Sequence, residues 1–134
     1  MTNINGSCLC ETVRFEAQDK FQQFHLCHCD QCKKMSGSAH VSNLFIRPEF
    51  FKWLAGENLV TRYDVPKRSI TNAFCKQCGS AVPYLSSTKQ WVIVPAGGLN
   101  NCPSLKLQDH IFTNEKAEWY KDIDEIAQYP HFPD

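Results

Sequence analysis

The chain has 134 residues, of which 43% are hydrophobic and 12% aromatic, and its 14 basic and 14 acidic side chains cancel. This length and apolar content suffice for one ordinary domain with a hydrophobic core, and they argue against disorder of the whole chain. The balanced charge lacks the basic excess that is typical of nucleic-acid-binding proteins, so we expect no nucleic-acid partner. No linker or repeat divides the sequence, which predicts a single domain over residues 1–134.

The N-terminal segment, residues 1–8, has no basic region followed by an apolar stretch, as a signal peptide would need. The most apolar run, residues 91–99, is nine residues long and contains Pro95, so it is far too short to span a membrane. We therefore expect a cytoplasmic protein with no membrane partner. In that reducing compartment, eight cysteines at close spacing indicate metal binding or catalysis rather than disulfides.

Short pieces of period-two alternation predict strands along the chain. In the first piece, residues 12–17, the alternation places Val13, Phe15 and Ala17 on one face. The later predicted strands, rich in β-branched and aromatic residues, are 24–26, 41–46, 58–65, 68–74, 81–85 and 90–94.

Two segments carry helical signals. Residues 49–54 fit one helical turn that Gly56 ends, and residues 123–129 fit a short helix that Pro130 ends. Many short strands with two or three helical turns indicate a mainly β fold of small sheets packed face to face.

Seven of the eight cysteines form three clusters: Cys8 and Cys10, then Cys27, Cys29 and Cys32, then Cys75 and Cys78. In extended chain, residues i and i+2 point to the same side, so Cys8 and Cys10 can bind one ion. The Cys-x-x-Cys turn of Cys75 and Cys78, followed by Gly79, is a second two-ligand half-site. Joined, the two pairs predict a closed four-cysteine site, the arrangement of structural zinc.

The middle cluster offers three thiolates within six residues, and three ligands do not complete a tetrahedron. A three-ligand zinc site that keeps its fourth position open is typical of catalytic zinc. Cys27, Cys29 and Cys32 thus predict a second, catalytic zinc. The alternative is a closed site with a fourth protein ligand, for which Cys102 is the first candidate. The other candidates are His25, His28 and His40.

With these clusters, the sequence resembles the glutathione-dependent formaldehyde-activating enzyme family, which includes centromere protein V. The matching stretches are residues 6–10, 27–33, 50–57, 74–80 and 110–119, so the resemblance spans about residues 3–130. It implies a β-tent, a mainly antiparallel fold with a structural zinc between the first and last cysteine pairs and a catalytic zinc in the middle cluster. It also implies carbon–sulfur lyase activity on the adduct of glutathione and formaldehyde, S-(hydroxymethyl)glutathione.

The chain departs from the family pattern at three positions. Glu11 stands where glycine is common, Lys33 where arginine is common, and Glu118 where proline is common. None is a predicted zinc ligand, so these departures bear on the substrate rather than the fold. Lysine lacks the planar two-pronged donor with which arginine recognises a carboxylate.

Three functions from different classes fit this sequence, each with two zinc ions per chain. The leading one is a carbon–sulfur lyase that acts on a small thiol adduct, with glutathione as the thiol in the family case. The second is a non-catalytic zinc-stabilised binding module with a closed middle site, and the third is a redox or metal sensor. His28 and His40 are the nearest acid–base groups, but nearness in sequence assigns neither of them to catalysis.

Overall fold

Ten short strands and one α-helix form the core of the computed structural model over residues 3–133, the part of the chain that it describes. The prediction of a mainly β fold with small sheets is confirmed. Residues 1, 2 and 134 of the predicted single domain lie outside the described residues. Within the described part, no helix is long and apolar enough to cross a membrane.

The elements follow one another in short steps. The strands are β1 (Asn3–Ser7), β2 (Arg14–Gln18), β3 (Gln23–Cys27), β4 (Val41–Ile46), β5 (Phe51–Ala55), β6 (Val60–Asp64), β7 (Thr71–Cys75), β8 (Tyr84–Leu85), β9 (Val92–Pro95) and β10 (Asp109–Ile111), and helix α1 is Asp30–Ser36. Single 3₁₀ turns occur at Pro48–Phe50, Glu57–Leu59, Ala96–Gly98, Thr113–Glu115, Glu118–Tyr120 and Ile123–Glu125.

The strands form three sheets with the orders β1-β2-β5, β10-β3-β4-β9-β8 and β6-β7. Every strand pairing described is antiparallel except that of β10 with β3, which is parallel. This parallel pairing sets Ile111 opposite Cys27. A late strand thus lies beside the strand that leads into the middle cysteine cluster.

The main core joins the three-stranded sheet to the five-stranded sheet. Val13, Phe15 and Ala17 are all buried, as the alternation in β2 predicts. Phe15 packs on Phe51 with ring centroids 5.6 Å apart, and Leu44 of the larger sheet lies in the same cluster. Full burial of one such side chain contributes roughly 1.5–3 kcal/mol, so this seam stabilises the contact between the sheets.

Two helical predictions are wrong in part. Only Pro48–Phe50 turns, as a 3₁₀ helix, and the rest of residues 49–54 runs into strand β5. Strand β5 pairs with β2, where Trp53 lies opposite Phe15, so burial of alternate aromatic side chains selects a strand. Residues 123–129 form only the 3₁₀ turn Ile123–Glu125, whose residues are exposed and have no core to cover.

Candidate metal sites and the adjoining cavity

The four cysteines of the first and last clusters converge on one point. Their sulfur atoms all lie within 4.8 Å of one another. The Sγ atoms of Cys8 and Cys10 are 3.5 Å apart, and those of Cys10 and Cys75 are 3.9 Å apart. A tetrahedral site with Zn–S bonds of about 2.3 Å separates its sulfurs by about 3.8 Å. The donor set therefore fits a tetrahedral metal ion such as zinc.

The local backbone positions these thiols, and a neighbouring hydroxyl group changes the pKa of one of them. Gly79 has φ 79°, and its N–H donates to the Cys75 carbonyl at 2.7 Å, which closes the turn between Cys75 and Cys78. The Ser80 hydroxyl, 3.2 Å from the Cys78 sulfur, lowers the pKa of that thiol to about 5. Glu11, where the family commonly has glycine, has φ 65° in the turn after Cys10. The family preference for glycine there matches a left-handed backbone.

The middle cluster sits where β3 passes into α1. Cys27 ends β3, Cys29 caps the helix and Cys32 lies in its first turn. All three are buried, and their sulfurs lie within 4.8 Å of one another. The Cys32 N–H donates to the Cys29 sulfur at 3.4 Å, the hydrogen bond of an N-cap side chain. The three thiols therefore come from one short segment, the end of β3 and the start of α1.

The three thiols do not share their protons equally. A hydrogen bond from Cys32 lowers the pKa of Cys27 to about 6, while the same contact and burial raise the pKa of Cys32. Cys27 thus ionises more readily than Cys32, and thiolates are the ligands that zinc takes. Three soft donors on one side of an ion leave its other side free for a further ligand.

None of the four alternative ligands joins this cluster. They are Cys102, His25, His28 and His40. Cys102 is exposed and its thiol contacts the Pro103 carbonyl at 3.5 Å. The histidines pair instead with Asp109, His110 and Tyr120, respectively. Among the described residues, no histidine or carboxylate lies with the three sulfurs at metal-binding spacing.

A cavity of about 390 Å³ opens beside the middle cluster, with Cys27, Cys29 and Cys32 in its wall. Its apolar wall includes Val41, Phe45, Ile70, Trp91, Ile93 and Ile111, and its polar groups include Asn43, Arg68, Thr71, Tyr84, Ser86 and Thr88. Clefts of this size, mostly apolar with a few polar groups, are typical of small-molecule sites. The three thiols can therefore meet a small ligand.

One face of strand β4 packs in the core, and the other face lines this cavity. Leu44 and Ile46 are buried in the core, whereas Asn43 and Phe45 line the cavity. Phe45 and Trp91 line the cavity, a role that their apolar character alone does not indicate. The polar Asn43 on the face away from Leu44 is the signal that could have indicated a cavity wall.

Residues of β10 and of the 3₁₀ turn after it support the middle cluster from outside. Ile111 packs against the three cysteines, and its carbonyl accepts the His28 N–H at 3.0 Å. The Asp30 N–H donates to Glu115 Oε1 at 3.0 Å, and Lys33 Nζ donates to the Glu115 carbonyl at 2.5 Å. These contacts fix both ends of the cysteine loop.

A cluster of imidazoles lies behind the loop. His28 is fully buried, with Nε2 2.8 Å from His110 Nδ1. Its ring also meets those of His40 and Tyr120, at centroid distances of 5.1 and 5.7 Å. Burial lowers the pKa of both His28 and His40, so both rings stay neutral near pH 7. His28 thus belongs to the packing that shapes the loop.

The fold and these two cysteine groups define a small β protein with two candidate metal sites, one of which opens to a cavity. A family model described as glutathione-dependent formaldehyde-activating enzyme matches residues 3–115, and the chain belongs to that family. The match ends before residue 130, the limit expected from the sequence. Membership of this family implies an enzyme whose substrate is a glutathione-related small molecule.

The fold is similar to that of a Rhodobacter sphaeroides protein known from a crystal structure, with a TM-score of 0.62 and 18% sequence identity. The alignment covers 79% of this chain and 98% of that chain. At this identity the likeness concerns the fold alone.

Proposed function

We propose that this chain is a zinc-dependent carbon–sulfur lyase that acts on a small thiol adduct such as S-(hydroxymethyl)glutathione. One observation carries the proposal: three buried thiols line a cavity of about 390 Å³, and no fourth protein ligand among the described residues joins them. A closed binding module would need that fourth ligand. Family membership supplies the substrate class.

The two cysteine groups take different roles in this proposal. Cys8, Cys10, Cys75 and Cys78 hold a structural zinc that fastens β1 to β7. Cys27, Cys29 and Cys32, which line the cavity, would hold a second zinc. A zinc ion bound there supplies two effects, a lowered pKa of a bound thiol and polarisation of a bound oxygen. Eight free thiols suit the reducing cytoplasm, where we place the enzyme.

Cleavage of the adduct breaks its C–S bond, turns the carbinol into formaldehyde, and moves one proton from the carbinol oxygen to the sulfur. The cavity walls, with Phe45 and Trp91 in edge-to-face contact at 5.7 Å, exclude water from the adduct. Tyr84 also lines the cavity, and burial raises its pKa to about 12. Its phenol therefore stays protonated at neutral pH and can donate a hydrogen bond to the substrate.

The test is the exchange of one buried ligand. Cys29→Ser should reduce turnover of S-(hydroxymethyl)glutathione to the uncatalysed rate and lower the zinc content from two ions to one. Circular dichroism should show an unchanged fold, because the four-cysteine site is intact. Cys102→Ser, at an exposed cysteine outside both groups, is the matched control and should keep full activity. A fully active Cys29→Ser enzyme would refute the proposal.

Zinc analysis gives an independent test of the open position. Dialysis against millimolar glutathione should remove one zinc and leave the other, since a three-ligand site holds metal less tightly than a closed site. Retention of both ions would contradict the open site and favour the non-catalytic binding module.

A further inference from the structure

We propose that Arg68 binds a carboxylate of the substrate, so that the cavity selects thiol adducts that carry a carboxylate. This inference rests on the proposed function, because it takes a thiol adduct in the cavity as the ligand. It assigns the recognition of charge to the turn between β6 and β7, away from the three thiols of β3 and α1.

The charge of the cavity wall is the first support. Among the described side chains that line the cavity, Arg68 alone carries a permanent charge, and no aspartate or glutamate lines it. His25, also in the wall, already pairs with Asp109 and Gln23. Arg68 is solvent-exposed and lines the cavity, so an anion that enters the cavity can reach this cation and is attracted to it.

The partners of the other nearby arginines are the second support. Arg47 lies over the Trp91 ring at 4.0 Å and donates to the Gln90 carbonyl at 3.2 Å. Arg62 donates to the Leu85 carbonyl at 3.0 Å and to Asp64 at 2.9 Å. Within residues 3–133, the Arg68 guanidinium has no comparable hydrogen bond or ion pair. Its planar fork is therefore free to bind a carboxylate with two parallel hydrogen bonds.

The turn holds Arg68 at the cavity. The Val65 N–H donates to the Ile70 carbonyl at 2.9 Å, and the Arg68 N–H donates to the Val65 carbonyl at 3.2 Å. Residues 68–73 all line the cavity, whereas the adjacent Lys67 does not. Two neighbouring cations in one turn thus differ in whether they face the ligand, and they form a matched pair for experiment.

A second turn adds neutral donors to the same wall. Ser86 and Thr88, between β8 and β9, line the cavity with their hydroxyls 3.1 Å apart. The bond from Arg62 to the Leu85 carbonyl ties β6 to the start of this turn. These hydroxyls are neutral hydrogen-bond donors for a ligand in the same cavity.

The experiment measures binding of S-methylglutathione, an unreactive thioether, to the zinc-loaded protein by calorimetry. Arg68→Met should weaken binding about fivefold, since an exposed ion pair of good geometry is worth about 1 kcal/mol. Lys67→Met should change it less than about twofold. The dimethyl ester of the ligand should bind the wild-type protein weakly and should not respond to Arg68→Met. In turnover, Arg68→Met should raise KM and leave kcat nearly unchanged.

Equal binding of S-methylglutathione by Arg68→Met and the wild-type protein would overturn the inference, as would equal binding of the acid and its ester. A failure of the proposed function looks different. Arg68-dependent binding without turnover would support the carboxylate site and refute the lyase. Turnover that is indifferent to Arg68 and to esterification would keep the lyase and refute the carboxylate site.

Discussion

The backbone N–H of Asp30 donates a hydrogen bond to the carboxylate of Glu115, 85 positions later, at 3.0 Å. Asp30 begins α1 inside the cysteine loop, and Glu115 ends a 3₁₀ turn after β10. The loop that carries the three thiols is thus held by a residue outside it. The groups that hold a ligand loop in place affect the affinity for the metal, in addition to the ligands themselves.

We therefore expect Glu115→Ala to release metal from the middle site faster. The change removes the acceptor for the Asp30 N–H and frees the start of α1, so the affinity for zinc should fall about tenfold. Chelator competition on the two-zinc protein measures this. Glu118→Ala, at an exposed glutamate in the next turn, is the control and should match the wild-type protein. Equal release by Glu115→Ala would contradict the support assigned to Glu115.

Cys10→Ser should remove the structural zinc. Cys10 is exposed, so the exchange costs little packing, but it takes one ligand from the closed site. Because metal binding there is coupled to folding, the melting temperature should fall by about 10 °C or more. Cys102→Ser, also at an exposed cysteine, should leave both the zinc content and the melting temperature unchanged. Two zinc ions in Cys10→Ser would exclude Cys10 as a ligand.

Stability should fall as the pH falls below about 6.5, partly through His40. Burial, and to a lesser degree the charge of His110, lowers the pKa of His40 in the folded state. The unfolded chain then takes up the proton first, so this contribution is present above pH 6.5 and is lost as the pH falls through the folded pKa.

Urea unfolding of the wild-type protein and His40→Asn at pH 7.5 and pH 5.5 tests this. The variant should lose less stability between the two pH values. Loss of zinc at low pH affects both proteins alike and cancels in the comparison. His131→Asn, at an exposed histidine, should keep the wild-type slope. A His40→Asn slope equal to that of the wild-type protein would show that another group is responsible.

Two glycines with similar backbones should respond differently to alanine. Gly56 has φ 74°, and a Cβ there would lie 2.4 Å from the Thr12 carbonyl oxygen and 2.8 Å from Val13 Cα. Gly37 has φ 62° with nothing within 4 Å of such a Cβ. Gly37→Ala should therefore cost about 1 kcal/mol of unfolding free energy from the left-handed backbone alone. Gly56→Ala should cost at least about 2 kcal/mol more, because backbone must move. Equal costs in denaturant unfolding would contradict the close approach at Gly56.

Local sequence patterns are enough to predict much of the fold. The strand predicted at residues 41–46 coincides with β4, and the burial of Val13, Phe15 and Ala17 follows their alternation. The number of ligands that a zinc ion needs predicts two groups of cysteines, and the sulfur atoms form the same two groups in space. These features depend on neighbours in sequence or on the known coordination of zinc, so the sequence alone suffices to predict them.

Other features depend on contacts that sequence patterns do not show. Strand β10, three residues long, pairs with the distant strand β3 and places Ile111 against the cysteine cluster. Strand β5 carried a usable signal, since Phe51 and Trp53 alternate with Lys52, but its short apolar run also fits a helical turn. Helix α1 also had a usable sequence signal, because Gly37 follows it with a left-handed backbone conformation. Arg68 at the cavity was not predictable, because its role depends on the turn that carries it.

The parallel pairing of β10 with β3 also orders events during synthesis of the chain. The four-cysteine site is complete once residue 78 has left the ribosome. The middle cysteines emerge earlier, but Ile111 and Glu115, which hold their loop, emerge after residue 78. A ribosome-bound chain can therefore bring its four-cysteine group together before the contacts that hold the middle cluster can form.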